Sequence, residues 1–186
     1  MTQTADPIQQ ALEYMRHQAA KSLADLGTLM ERTATDWRHC LEGITDLQGS
    51  FMPSVPTGPV GEDEWCAKQV LGHVLASQRG LNVTIAQMAG VEAPREAEQI
   101  RAMGVQSAED EARSLAELRP KIAEVCDESR RLVTSLEEGE KLDQKFPHPV
   151  FGPLNLKEWI AFHRIHAMDH IQQIDKIKAD PAYPKA

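Results

Sequence analysis

His163, His166 and His170 recur at spacings of three and four in the last long patterned segment of the chain. At about 100° per residue they share a helix face with Trp159, Ile160, Ala167, Ile171, Ile174 and Ile177. Imidazoles in an apolar stripe cost free energy unless each finds a partner. A metal ion is the partner that satisfies several at once. The i,i+4 pair His166/His170 presents two nitrogens to one ion, with His163 as a competitor for the second place. A further ligand must come from another helix. His73, beside Val70 and Val74, is the best candidate. His17 and His39 flank another stripe and read as exposed, and His148 lies in a loop between prolines. The alternative to a metal is a set of core histidines hydrogen-bonded to carbonyls and carboxylates.

The elements that must position these residues are helical. Residues 7–43 carry apolar or small residues at alternating steps of three and four, from Ile8 to Leu41, with Pro7 and Asp6 suited to a helix start. Gly27 is the expected weak point. Residues 49–61 hold three prolines and three glycines, a loop no helix crosses. A second helix is expected from about 63–66 to Gly90, with Val70, Val74, Ser77, Leu81, Ile85 and Met88 inward. A third is expected over 107–138, with Ser107 and Asp110 as its cap and a kink or break at Pro120. Residues 139–154 form another Pro/Gly loop. Asn155 caps a fourth helix running to about Ala179. No strand pattern stands out. The chain reads as one all-α domain over residues 1–186, a four-helix bundle with long Pro/Gly-rich loops that leave room for non-neighbouring connections.

Composition narrows the function. A net charge of −8 without a basic stripe argues against nucleic acid or an anionic membrane as partner. No signal-peptide core and no apolar run of membrane-spanning length is present. Cys40, Cys66 and Cys126 are widely spaced, without a CxxC, and read as reduced, buried thiols in a cytoplasmic protein. A di-iron carboxylate site needs Glu-x-x-His on two helices, and the chain has none. It also lacks His-Glu-x-x-His, a Gly-rich phosphate loop and GxSxG.

Trp65-Cys66 followed by Leu71-Gly72-His73-Val74 resembles the opening of the second helix in the DinB-like family of metal-binding four-helix bundles. His148-Pro149-Val150-Phe151-Gly152-Pro153-Leu154-Asn155 resembles that family's HPxxGxLN loop. Trp159 and the run His166-Ala167-Met168-Asp169-His170-Ile171-Gln172-Gln173-Ile174 resemble its closing HxxxH helix. The resemblance implies a ligand triad of His73, His166 and His170 for a divalent ion, zinc or nickel; His163, by its place on the helix, reads as a packing or supporting residue. Cys66 departs from the family's usual Ser, so Asp63 is the expected cap. Cys66 as a ligand is the less favoured alternative.

Three neutral imidazoles leave the ion's charge unneutralised, so a bound water or thiol becomes acidic. Relatives that use low-molecular-weight thiols such as bacillithiol or mycothiol make S-transfer to a small-molecule electrophile the leading expectation. Metal-dependent hydrolysis and a non-catalytic metal- or ligand-binding stress protein are the alternatives. Asp169, Glu158 and Asp175 read as solvated. The resemblance also implies a homodimer.

Overall fold

The computed structural model describes residues 6–94 and 112–185. Their elements in order are α1 (Pro7–Ala19), α2 (Leu23–Leu41), the one-turn α3 (Asp46–Gly49), α4 (Ala67–Ala89), α5 (Leu115–Ser135), a 3-10 turn (Glu140–Asp143), β1 (Lys145–His148), β2 (Gly152–Asn155) and α6 (Leu156–Lys178). The four long helices α2, α4, α5 and α6 form the bundle, and α1 lies along α6.

The first patterned segment breaks at residues 20–22 rather than at Gly27. Ser22 starts α2 with a capping box: its hydroxyl accepts from the Asp25 N–H, and the Asp25 carboxylate accepts from Ser22. That box supplies a new helix start, which a glycine inside a helix does not. Gly27 instead marks a close approach, because a Cβ there would stand 2.9 Å from Cγ2 of Thr134 on α5. Asp6 caps α1 as expected. The cap of α5 is Ser114 with Glu117; Ser107 and Asp110 lie outside the described residues. Helix α5 runs unbroken through Pro120, whose exposed position lets water reach the carbonyl it leaves unpaired. Cys66 occupies the cap position of α4, where its backbone N–H is satisfied by Gln69 Oε1 at 3.0 Å. Asp63 does not cap this helix: its carboxylate accepts from Gly61 N–H within the preceding loop.

Two clasps fix the helix directions. Glu138, just beyond α5, accepts from Leu23 N–H at the start of α2 and pairs with Lys157 at the start of α6. Asp46, beyond α2, accepts from Leu115 N–H at the start of α5 and pairs with Lys68 at the start of α4. So α2 and α6 run one way, and α4 and α5 run the other. Helix α2 packs on α5 and α6, and α4 packs on the same two, which puts α2 and α4 on one diagonal. A diagonal step is too wide for a tight turn, which is why the Pro/Gly loops are long. The second of them is not wholly irregular. β1 and β2 pair antiparallel with His148 opposite Gly152, whose φ of 72° fits the left-handed position closing a short hairpin loop. Four-residue strands rich in Pro and Gly carry too little alternation to be read from sequence.

The core has two apolar clusters separated by a polar layer. One cluster holds Met30, Leu81, Leu132 and Ala161; the other holds Trp37, Leu75, Cys126 and Ala167. Between these levels each long helix contributes a buried polar residue: Thr33 from α2, Gln78 and Asn82 from α4, Ser129 from α5 and His163 from α6. Asn82 donates to Glu128 at 3.0 Å and accepts from the Ser129 hydroxyl at 2.8 Å, so its amide is buried with its hydrogen bonds made. The three cysteines are reduced and buried.

Candidate metal centre

Helix α4 is antiparallel to α6, so the early turn bearing His73 meets the later turns bearing His166 and His170. The α4 face is set by Val70, Leu71, Val74 and Leu75, all fully buried, and His73 is carried inward with them. On α6, Ala167, Ile171 and Ile174 act in the same way. One candidate ligand atom from each of His73, His166 and His170 lies within 4.8 Å of the other two. The Nε2 atoms of His73 and His166 are 3.2 Å apart. Two donors bound at ordinary lengths to a tetrahedral zinc ion stand about 3.3 Å apart. His170 lies against both rings, with centroids 4.8 Å from His73 and 4.6 Å from His166.

The surroundings keep the rings neutral. Burial, with the neighbouring His170 adding to it, brings His73 down to about 4. Burial and the three neighbouring imidazoles hold His166 well below the ordinary histidine range. Burial lowers His170 too, partly opposed by its hydrogen bond to Gln173. Neutral imidazole is the form that binds metal. The Nδ1 atoms of His73 and His166 are buried without a partner, and their Nε2 atoms face one another. At 3.2 Å there is room for one hydrogen between the facing Nε2 atoms, whereas a cation takes a lone pair from each. The donor set therefore fits a divalent cation. His166 is only half-buried, so the cluster reaches the surface.

Four further groups border it. Ser77 Oγ lies 3.3 Å from His73 Nε2. The Trp65 ring packs on His73 with centroids 5.2 Å apart, and Phe162 lies beside His166 at 5.9 Å. Gln173 Oε1 is 3.0 Å from His170 Nδ1. Sequence spacing assigned no role to Ser77 or Gln173, although both fall on the inward stripes one turn beyond a histidine.

The other candidates are placed differently. His163 does not join the triad; its Nε2 is buried without a partner, and the residue lines a small cavity in the polar layer with Met30, Thr33, Gln78, Cys126 and Ser129. Its place three residues before His166 set it on the correct helix side, but α6 turns it toward the bundle axis. Cys66 is buried at the α4 cap and is not in the cluster. His17 and His39 are exposed. His148 ends β1 rather than lying in a loop; its Nδ1 accepts from the N–H groups of Val150 and Phe151, among the rings of Phe151, Trp159 and Phe162. Asp169 and Asp175 are exposed as expected. Glu158 is not solvated: it is buried and accepts from Asn155 N–H in the capping box of α6. A groove of about 710 Å³ between α2 and α5 is lined by other residues and not by the triad.

A mostly helical bundle with three converging imidazoles defines a protein class in which a metal ion could be held between helices. The chain belongs to the DinB superfamily, whose family model matches residues 29–174. Among solved structures it is similar to YfiT from Bacillus subtilis, described as a probable metal-dependent hydrolase with an unusual four-helix bundle topology. The TM-score is 0.62 at 15% sequence identity, covering 84% of this chain and 86% of that one. No curated protein matches the sequence. Among the described residues no helix is long and apolar enough to cross a membrane.

Proposed function

We propose that this protein is a divalent-metal-dependent enzyme that transfers a low-molecular-weight thiol to a small-molecule electrophile. The observation that carries the reading is the convergence of His73, His166 and His170 within 4.8 Å at a site that reaches the surface. These three side chains would hold the ion, with zinc or nickel suited to imidazole nitrogen. A divalent ion bound by neutral donors alone keeps its full charge and supplies Lewis acidity strong enough to deprotonate a thiol. That favours a thiol over chemistry needing a separate base, since no carboxylate joins the cluster among the described residues. Trp65 and Phe162 offer apolar faces beside the imidazoles for an electrophile with hydrocarbon character. His73, His166 and His170 would fix where the ion, and so the thiol it acidifies, could sit.

A second reading, metal-dependent hydrolysis, is favoured by the description of YfiT and by the same acidity acting on water. Metal analysis of tag-free protein, His73→Ala and His166→Ala/His170→Ala comes first. About one ion per wild-type chain, lost in both variants, is expected. Loaded protein is then assayed with thiols plus electrophiles, and with esters and amides without thiol. Turnover that requires the thiol supports transfer. Thiol-independent turnover replaces it with hydrolysis, and no turnover in either panel leaves a binding protein.

A further inference from the structure

A backbone carbonyl can only accept hydrogen bonds. The carbonyl of Glu62, in the loop before α4, accepts from Gln173 Nε2 at 2.7 Å and from the Trp65 N–H at 3.2 Å. The first contact settles which end of the Gln173 side chain is its amino group. The other end, Oε1, then faces His170 Nδ1 at 3.0 Å. Two acceptors do not hold one another at that distance, so Nδ1 of His170 carries the hydrogen. Its lone pair is therefore on Nε2, the nitrogen left for a ligand.

The same carbonyl reaches the opposite helix. Trp65, bound to Glu62 through its N–H, packs its ring on His73. The loop is held in shape by its own hydrogen bonds: Thr57 N–H to Asp63 O at 2.9 Å and Glu62 N–H to Pro59 O at 2.9 Å. It also closes directly on Gln173. A Cβ on Gly58 would stand 2.5 Å from Gln173 Nε2, so a side chain at that position displaces the amide. Gln173 itself is 2% exposed and has little room to turn.

We propose that Gln173 is a positioning residue, and that the 57–65 loop acts through it as the outer support of the histidine cluster, selecting Nε2 of His170 as the ligand atom. The proposal rests on the metal reading for its consequence. The tautomer of His170 exists with or without metal, so the two can fail separately. Groups that orient a ligating histidine are typically worth 10–100-fold in metal affinity.

The test measures ring ¹⁵N shifts of His170 in metal-free protein and zinc affinity by chelator competition. Wild type is expected to show Nδ1–H alone. Gln173→Leu, which removes both contacts, is expected to populate both tautomers and to bind zinc roughly 10–100-fold more weakly. Gln173→Glu keeps an acceptor for Nδ1–H but loses the donor to Glu62. It is expected to keep the tautomer while the Trp65 indole signal shifts as the loop is released. Gly58→Ala disturbs the amide without altering its chemistry, and it decides the matter if the leucine variant fails to fold; tautomer mixing in it supports the proposal. Wild-type tautomer and affinity in the leucine variant, or in Gly58→Ala where that stands in, overturn it. If wild type takes up no zinc, the metal reading falls, and the ¹⁵N arm still decides whether Gln173 sets His170.

Discussion

Two polar groupings interrupt the apolar core, and they are built on opposite principles. In the mid-bundle layer, Asn82 meets Glu128 and Ser129 with complementary donors and acceptors. In the triad, three neutral imidazoles turn like groups toward one another, with His73 and His166 facing through Nε2 at 3.2 Å. The layer is complete from protein atoms except at His163. The triad has the donor set that a cation could complete. Burial alone does not distinguish them, since both lie among fully buried aliphatic residues. Whether the donors and acceptors balance does.

The comparison breaks most sharply in metal uptake. His166→Ala/His170→Ala is expected to abolish the thermal stabilisation that added zinc gives wild type, because one imidazole on α4 does not hold the ion. Differential scanning calorimetry with and without zinc reads this. His163→Leu is expected to retain that stabilisation, since its ring lines the interior cavity instead.

Removing a member of the balanced layer acts on stability. Asn82→Ala removes the amide donor to Glu128 and the acceptor for the Ser129 hydroxyl and opens a cavity, at a cost of about 3 kcal/mol. Urea melts at neutral pH measure it, with zinc binding in the folded variant near wild type.

The pH dependence sharpens the contrast at His163. Burial lowers its folded value from 6.5 to about 4. Below 6.5 the unfolded chain binds more protons, so stability is full above that pH, falls as pH drops, and stops falling on this account below about 4. The loss is about 3 kcal/mol for this one residue. His163→Leu is expected to flatten the metal-free stability curve over that window by up to one proton. An unchanged slope would place the histidine in contact with water. The smallest effect is expected at Ser77→Ala, where a neutral hydroxyl 3.3 Å from His73 Nε2 is lost. Zinc affinity should change by no more than about 1 kcal/mol, read by competition.

Local patterns carried much of the fold. The caps at Asp6 and Asn155, the inward stripe of α4 and the end of α6 follow from residue type and spacing, because a helix satisfies its own backbone and needs only one apolar face. Local patterns were ambiguous where two mechanisms compete. Gly27 reads as the weak point, whereas the interruption lies at Ser22, whose capping box with Asp25 starts a new helix. The hairpin at residues 145–155 was hidden by its prolines and glycine. Glu158 looked like a surface charge until its capping role and the packing of Arg16 from α1 at 4.0 Å were visible.

The sequence by itself determined four long helices, the loops between them, and a face of α6 on which imidazoles sit one turn apart. Those follow from the 3.6-residue repeat and from prolines and glycines that end it. Only the tertiary structure decided that His73 meets His166 and His170, that His163 turns into the bundle, and that a loop carbonyl at Glu62 reaches Gln173. These depend on the direction and diagonal placement of whole helices, which are set by contacts between residues far apart in the chain, such as Glu138 with Leu23 and Asp46 with Leu115. No local period encodes them.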